Sequence, residues 1–230
     1  MFSYINQMVS QRGREKTGSR ERLLKAAADE FAARGFDGAK VDRIARRARV
    51  NKAMLYYHFH NKAALYREIL GTLFNRLAAE VAAVREQGGP ADDQIRRYIR
   101  TVAAVTVAVP HFPAIWLREM ADGGRHLDTE IASAIASVLK TLGGMLDDGR
   151  ASGLFRPAHP LITQMGIVGP LILFAASAPA RERFQGKIPA SVAMVPREAV
   201  VAHVETATLA ALRAEPSEPS LTSPPSRRSS

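Results

Sequence analysis

Apolar residues along this 230-residue chain recur at helical spacing, and alternating strand patterns are scarce. Leu23, Leu24, Ala27, Ala28 and Phe31 predict one face of a helix over 19–34, with Ser19 as its cap and Gly35 as its stop. Val41, Ile44, Ala45 and Ala48 predict a short helix over 41–48. After the tight link Arg49-Val50, Asn51 is placed to cap a second short helix over 52–58. Asn61 then caps a long helix to about Glu86, closed by Gly88-Gly89-Pro90. Further helices are expected over 91–109, 112–122, 128–152, 160–178 and 196–214, separated by Gly and Pro. The polar segment 1–18 reads as loose, and the Ser/Pro-rich tail 215–230 as disordered. No solenoid-type repeat is present. The fold class is therefore all-α.

Charge sharpens the picture. The chain carries 32 Lys+Arg against 22 Asp+Glu, and residues 1–67 hold 15 of the bases but only 6 of the acids. Nearly all of the excess sits in under a third of the chain. A basic module joined to a neutral one implies a division of labour, with a polyanion as the first partner to test. Charge alone also fits an ordinary solvated face.

Other chemistries have little support. The absence of cysteine excludes disulfides, thiolate metal sites and thiol nucleophiles. His58 and His60, two apart, have poor metal-ligand spacing on a helix. There is no Gly-x-Ser-x-Gly elbow, phosphate-cradling Gly loop or His-Glu-x-x-His pair. Asp147 and Asp148 are adjacent and point apart on a helix, so a solvated face suits them better than acid–base work. An enzyme is the remote alternative, and no cofactor is expected. No secretory signal is evident. The most apolar run, 161–180, is interrupted by Thr163, Gln164, Gly166, Gly169, Pro170 and Ser177 and reads as a buried helix. The default expectation is a cytoplasmic protein without a membrane partner.

The succession of helices at 19–34, 41–48 and 52–58, the last two joined by a very short link, is helix-turn-helix spacing. Ala45 and Ala48 permit close helix approach, while Ile44, Val50 and Leu55 supply the apolar contact that fixes the angle. The second short helix is then free to enter a major groove. The stretch Arg22-Leu-Leu-Lys-Ala-Ala, Phe31, Gly35-Phe36, Val41-Asp-Arg-Ile-Ala, Val50-Asn-Lys-Ala-Met-Leu-Tyr-Tyr-His-Phe59, Asn61-Lys62 and Leu65-Tyr66 resembles the TetR family of bacterial transcription regulators. The segment 55–59 followed by Lys62 is its most specific piece, and the resemblance covers about residues 19–70.

Beyond the polar segment 1–18, expected to be flexible, the resemblance implies a helix-turn-helix DNA-binding domain at 19–66 and a helical ligand-binding and dimerisation domain at 67–214. It implies a homodimer, double-stranded DNA and a small-molecule effector as partners. On the residues themselves, Asn51, Lys52 and Ala53 open the recognition helix, where family members touch bases and phosphates. Tyr56 and Tyr57 offer hydroxyls to phosphate or rings to sugar and thymine methyl, although either also reads as core. His58 and Lys62 match family phosphate contacts. Lys40 and Arg43 add charge beside them. Two departures stand out. Ala39-Lys40 occupy the place of the usual Thr or Ser cap, a loss of about 1 kcal/mol. Arg49 occupies the place of the usual turn glycine, at about 1 kcal/mol if its φ is positive.

In the neutral half, His111, Phe112, Trp116, Glu119, Met120, Met165 and Phe174 are candidates for lining an effector pocket; each also reads as core or interface. Ile167, Leu171, Phe174, Val200 and Val204 are candidates for a two-fold seam built from the last two long helices, with Gly166 and Gly169 permitting close approach. The leading expectation is a homodimeric repressor that releases a palindromic operator on binding a largely apolar effector. An activator, or a weakly sequence-specific DNA binder of the same fold, is the alternative.

Overall fold

A computed structural model describes the backbone of residues 2–214 and the side chains of 18–106, 108–191 and 194–214. The tail 215–230, expected to be disordered, lies outside the described residues. The elements are α1 (Phe2–Gly38), α2 (Val41–Ala48), α3 (Lys52–Phe59), α4 (Lys62–Glu86), α5 (Ala91–Ala108), α6 (Phe112–Ala121), α7 (Thr129–Ala151), α8 (Pro160–Ala176), α9 (Ala178–Phe184), α10 (Ala190–Ala193) and α11 (Arg197–Leu212). Among the described residues there is no strand, only two isolated bridges, Phe155 with Arg213 and Gln185 with Ile188.

Local chemistry accounts for most boundaries. Asn51 accepts from the Ala53 N–H, Asn61 from Ala64 and Asp128 from Ile131, satisfying helix-start donors as their positions predict. Gly35 breaks α1 at the expected place, with φ 69° and ψ 179°. At the other end α1 starts at Phe2, so the segment expected to be loose continues the helix. Gly13 and Gly18 aside, that stretch consists of residues a helix tolerates, and it contains no proline. Ser19 is consequently not a cap but a mid-helix residue.

α1 to α3 form the N-terminal module. α4 leaves it and packs along α7, and α5, α7, α8 and α11 close the body around it. The boundary expected after Tyr66 falls inside α4, which both parts share. One apolar cluster runs from Leu23, Phe31, Ile44 and Leu55 through Leu70 and Ile95 to Leu142 and Leu212. The approach at Gly149 is closest: the Phe155 ring lies where a Cβ would stand. No single described helix is long and apolar enough to cross a membrane. α8 and α9 reach that length only as a pair bent by 45°.

Candidate nucleic-acid interface and effector cavity

The turn between α2 and α3 is built on Arg49, which adopts the left-handed conformation at φ 54°, ψ 47° and closes α2 through hydrogen bonds from its N–H to Ala45 and Arg46. The positive φ anticipated at this non-glycine position is therefore real. Ile44, Ala45, Ala48, Leu55 and Phe59 are buried against Leu23, Ala27 and Phe31, which fixes the helix angle. The opposite side of α3 exposes Lys52 and Ala53, Tyr56 and Tyr57 one turn later, and the caps Asn51 and His60 at its two ends. Tyr56 and Tyr57 are 45% and 60% exposed, so neither packs in the core. Lys52 pairs with Asp42 at 2.9 Å on the surface. This pair holds the lysine pKa up and the aspartate pKa down.

Other predicted contact residues are tied into the module. No side chain caps α2 at Lys40, as the missing hydroxyl predicts. In its place Glu30, buried on α1, faces the Lys40 N–H at 3.4 Å and takes the Arg43 Nε at 2.5 Å. Arg43 also donates to the Gly38 carbonyl. Burial would raise the Glu30 pKa; the Arg43 hydrogen bond, the Lys40 N–H and the charges of Arg43 and Arg34 outweigh it and lower it. His58 hydrogen-bonds the Ser19 hydroxyl at 2.9 Å. The Lys62 ammonium donates to the Phe36 and Ala39 carbonyls at 2.8 and 3.2 Å and lies over the Phe36 ring. Arg43, His58 and Lys62 thus join α1 to the later helices, a use their positions in sequence do not reveal.

Below this module, α6 faces two ways. Phe112, Trp116 and Met120 look into a cavity of about 510 Å³, completed by α4, α5, α7 and α8. From α8 come Leu161, Gln164, Met165, Val168 and Ile172, a stripe at helical spacing. Trp116 stands edge-on to Phe74 and stacks on Phe112. Of the predicted lining residues, Phe112, Trp116, Met120 and Met165 are in this wall, whereas His111, Glu119 and Phe174 are not. His111 pairs with Asp29 of α1 at 2.6 Å. Phe174 lies under the Arg181 guanidinium, away from the cavity.

Glu119 faces the N-terminal module. It is 1% exposed and accepts from the Tyr66 hydroxyl at 2.9 Å and the His126 N–H at 2.8 Å, and it pairs with the His126 ring. Burial, then the Glu119 carboxylate, pushes the Tyr66 pKa up, so the phenol stays a donor. Phe36 packs on the His126 ring, Arg118 donates to the Ala33 carbonyl, and Arg125 pairs with Asp37. Asp29 also takes Arg47 of α2 at 2.7 Å. The helix that walls the cavity is thereby clasped to the end of α1.

The seam residues also need correction. Ile167, Leu171 and Val204 are buried within the chain; α8 is apolar all round, so periodicity does not distinguish its faces. Its exposed line is Ile162, Gly166, Pro170 and Leu173, and Ile162 and Gly166 border a groove shared with Ala207, Thr208 and Ala211 of α11. Val200 and Phe174 are half-buried. Among the described residues no cluster of His, Asp or Glu is arranged to hold a metal.

A short helix seated by its neighbours and presenting lysine, amide and tyrosine groups from a basic module defines a helix-turn-helix DNA-binding transcriptional regulator. The family model described as bacterial regulatory proteins, tetR family, matches residues 23–69. The chain is 29% identical over 152 residues to the HTH-type transcriptional regulator RutR of Escherichia coli, covering 66% of this chain and 71% of that one. It is 25% identical over 147 residues to the HTH-type transcriptional repressor NicS of Pseudomonas putida, covering 63% and 69%. The fold superposes on a TetR family transcription regulator from Marinobacter aquaeolei with a TM-score of 0.67 at 18% identity, over 89% of this chain and all of that one. Over residues 23–69 the chain carries the segment described for bacterial regulatory proteins of the tetR family, and beyond it the likeness is one of fold.

Proposed function

We propose that the chain is a homodimeric repressor which binds a near-palindromic operator and releases it when a small, largely apolar molecule fills the cavity under α6. The reading rests above all on α6 itself. One side of this ten-residue helix is cavity wall, through Phe112, Trp116 and Met120, and the other is clasped to α1 and α4 through Glu119, Arg118 and the adjoining His111 and His126. A molecule that shifts α6 therefore strains contacts on which the seating of α3 depends. It changes DNA affinity only to the extent that it binds the released state more tightly.

In this reading Lys52, Asn51, Ala53, Tyr56 and Tyr57 face the groove, and Lys40 meets the backbone. Arg43, His58 and Lys62 act chiefly by holding the module together. The exposed line of α8 with that of α11 is the two-fold seam. It borders a groove of about 450 Å³ that includes Ile162, Gly166, Ala207 and Ala211. A copy of the chain would fill that groove and set two α3 helices on half-sites a helical turn, or a multiple of it, apart. Such a regulator works in the cytoplasm, beside the DNA.

The test is a gel-shift titration of an operator selected from random duplex, with and without compounds that perturb Trp116 fluorescence. The expected result is release by such compounds in the native protein, and binding without release in Glu119→Gln. Compounds that occupy the cavity yet leave operator affinity unchanged in the native protein would sink the proposal.

A further inference from the structure

Among the described residues, none that lines the cavity is ionisable. The polar side chains in its wall are Thr106, Gln164 and the indole of Trp116. Thr106 spends its proton on the Val102 carbonyl at 2.8 Å. Gln164 is held differently. Its Oε1 accepts a 2.6 Å hydrogen bond from the hydroxyl of Tyr98, which is fully buried. With the oxygen of the carboxamide engaged from behind, its NH₂ is the group left for a guest.

This arrangement discriminates by charge and by hydrogen-bonding sense. A carboxylate taken to the depth of Gln164 gives up water and meets no cation among the described lining residues; an ammonium there meets no anion. A ligand donor aimed at Gln164 meets another donor. A carbonyl or ether oxygen on an otherwise hydrocarbon body satisfies the amide and buries the rest against Phe74, Val138, Val168 and Ile172. We propose that the cavity selects an uncharged, mainly hydrocarbon molecule carrying a carbonyl-type acceptor, docked on the Gln164 carboxamide that Tyr98 orients. The inference rests on the effector reading above and adds the chemical class of the effector and the residue that reads it. Gln164 is the contact and Tyr98 the positioning residue.

Trp116 is the only tryptophan in the chain and lies in the cavity wall, so its emission reports occupancy directly. The full chain is titrated at pH 8 with two matched pairs, 2-undecanone against undecanoate and 4-phenyl-2-butanone against 4-phenylbutyrate. Decalin serves as a probe with no polar atom. Each ketone is expected to bind at least about ten-fold more tightly than its acid. Gln164→Leu should remove about ten-fold of ketone affinity and leave decalin binding unchanged; the decalin signal also certifies that the variant is folded. Tyr98→Phe should weaken the ketones selectively and by less. Acids that bind as well as ketones, or a ketone preference that survives Gln164→Leu, overturn this inference and leave the apolar-effector reading standing. Failure of decalin and both ketones to perturb Trp116 overturns both.

Discussion

The N-terminal module and the cavity beneath it solve opposite problems. In the module, charged side chains are the fasteners: Glu30 joins α1 to α2, Arg22 reaches the Ala48 carbonyl, and Lys62 holds two carbonyls at the end of α1. What remains exposed on α3 is polar and aromatic. In the cavity the wall is hydrocarbon with one oriented amide. A polyanion and an uncharged small molecule are thus received by surfaces with almost no chemistry in common. The charge imbalance along the sequence reflects that difference. α6 speaks to both, apolar toward the cavity and polar toward α1, and α4 runs from one to the other.

That contrast breaks most severely where the two parts meet. Glu119→Ala strands the Tyr66 hydroxyl and the His126 N–H in a buried site. It should cost about 2–4 kcal/mol in urea unfolding, and Glu119→Gln less. Gly149→Ala, set against the Phe155 ring, tests the apolar body alone. Overpacking there predicts a loss of about 1–3 kcal/mol with DNA affinity per folded protein unchanged.

Glu30→Gln weakens the module alone, by about 1–2 kcal/mol. Its pH signature is distinctive. The folded pKa of Glu30 lies below its ordinary value of 4.5, so the native protein binds fewer protons there than the unfolded chain. This stabilisation is complete above 4.5 and disappears as pH falls through the lowered folded value. Unfolding curves between pH 6 and 3 should show a component of acid sensitivity that Glu30→Gln lacks. The smallest effect belongs to the surface. Lys52→Ala should weaken operator binding by about ten-fold and lower the salt slope by about one, with no change in melting temperature.

Legibility in the sequence followed the range of the interaction. α2 and α3, the Asn51 and Asn61 caps and the strained turn at Arg49 depend on residues a few positions away, and local pattern was enough to find them. The fastening roles of Arg43, His58 and Lys62 depend on partners 13, 39 and 26 residues distant, which neither residue type nor the family resemblance reveals. For Glu119, an ionisable group next to Trp116 suggested the pocket. Glu119 stands three positions beyond Trp116, at the edge of the same face, and only its contacts with Tyr66 of α4 and with His126 show that the carboxylate turns away from the cavity. α8 is the extreme case. Gln164 apart, its core-facing, cavity-facing and exposed lines are apolar, so periodicity does not separate the buried Ile167 and Leu171 from the exposed Ile162, Gly166 and Leu173. The start of α1 eluded the sequence reading because polar residues that suit a loop also suit a solvated helix.

In the proposed regulator, the exposed side of α3 reads duplex DNA by sequence. Selection of the full chain against a random duplex library at physiological salt tests it directly. A pseudo-palindromic sequence bound roughly 10³-fold or more above random duplex is expected, a preference that Lys52→Ala erodes. Equal binding of selected and random DNA across the salt series would contradict it.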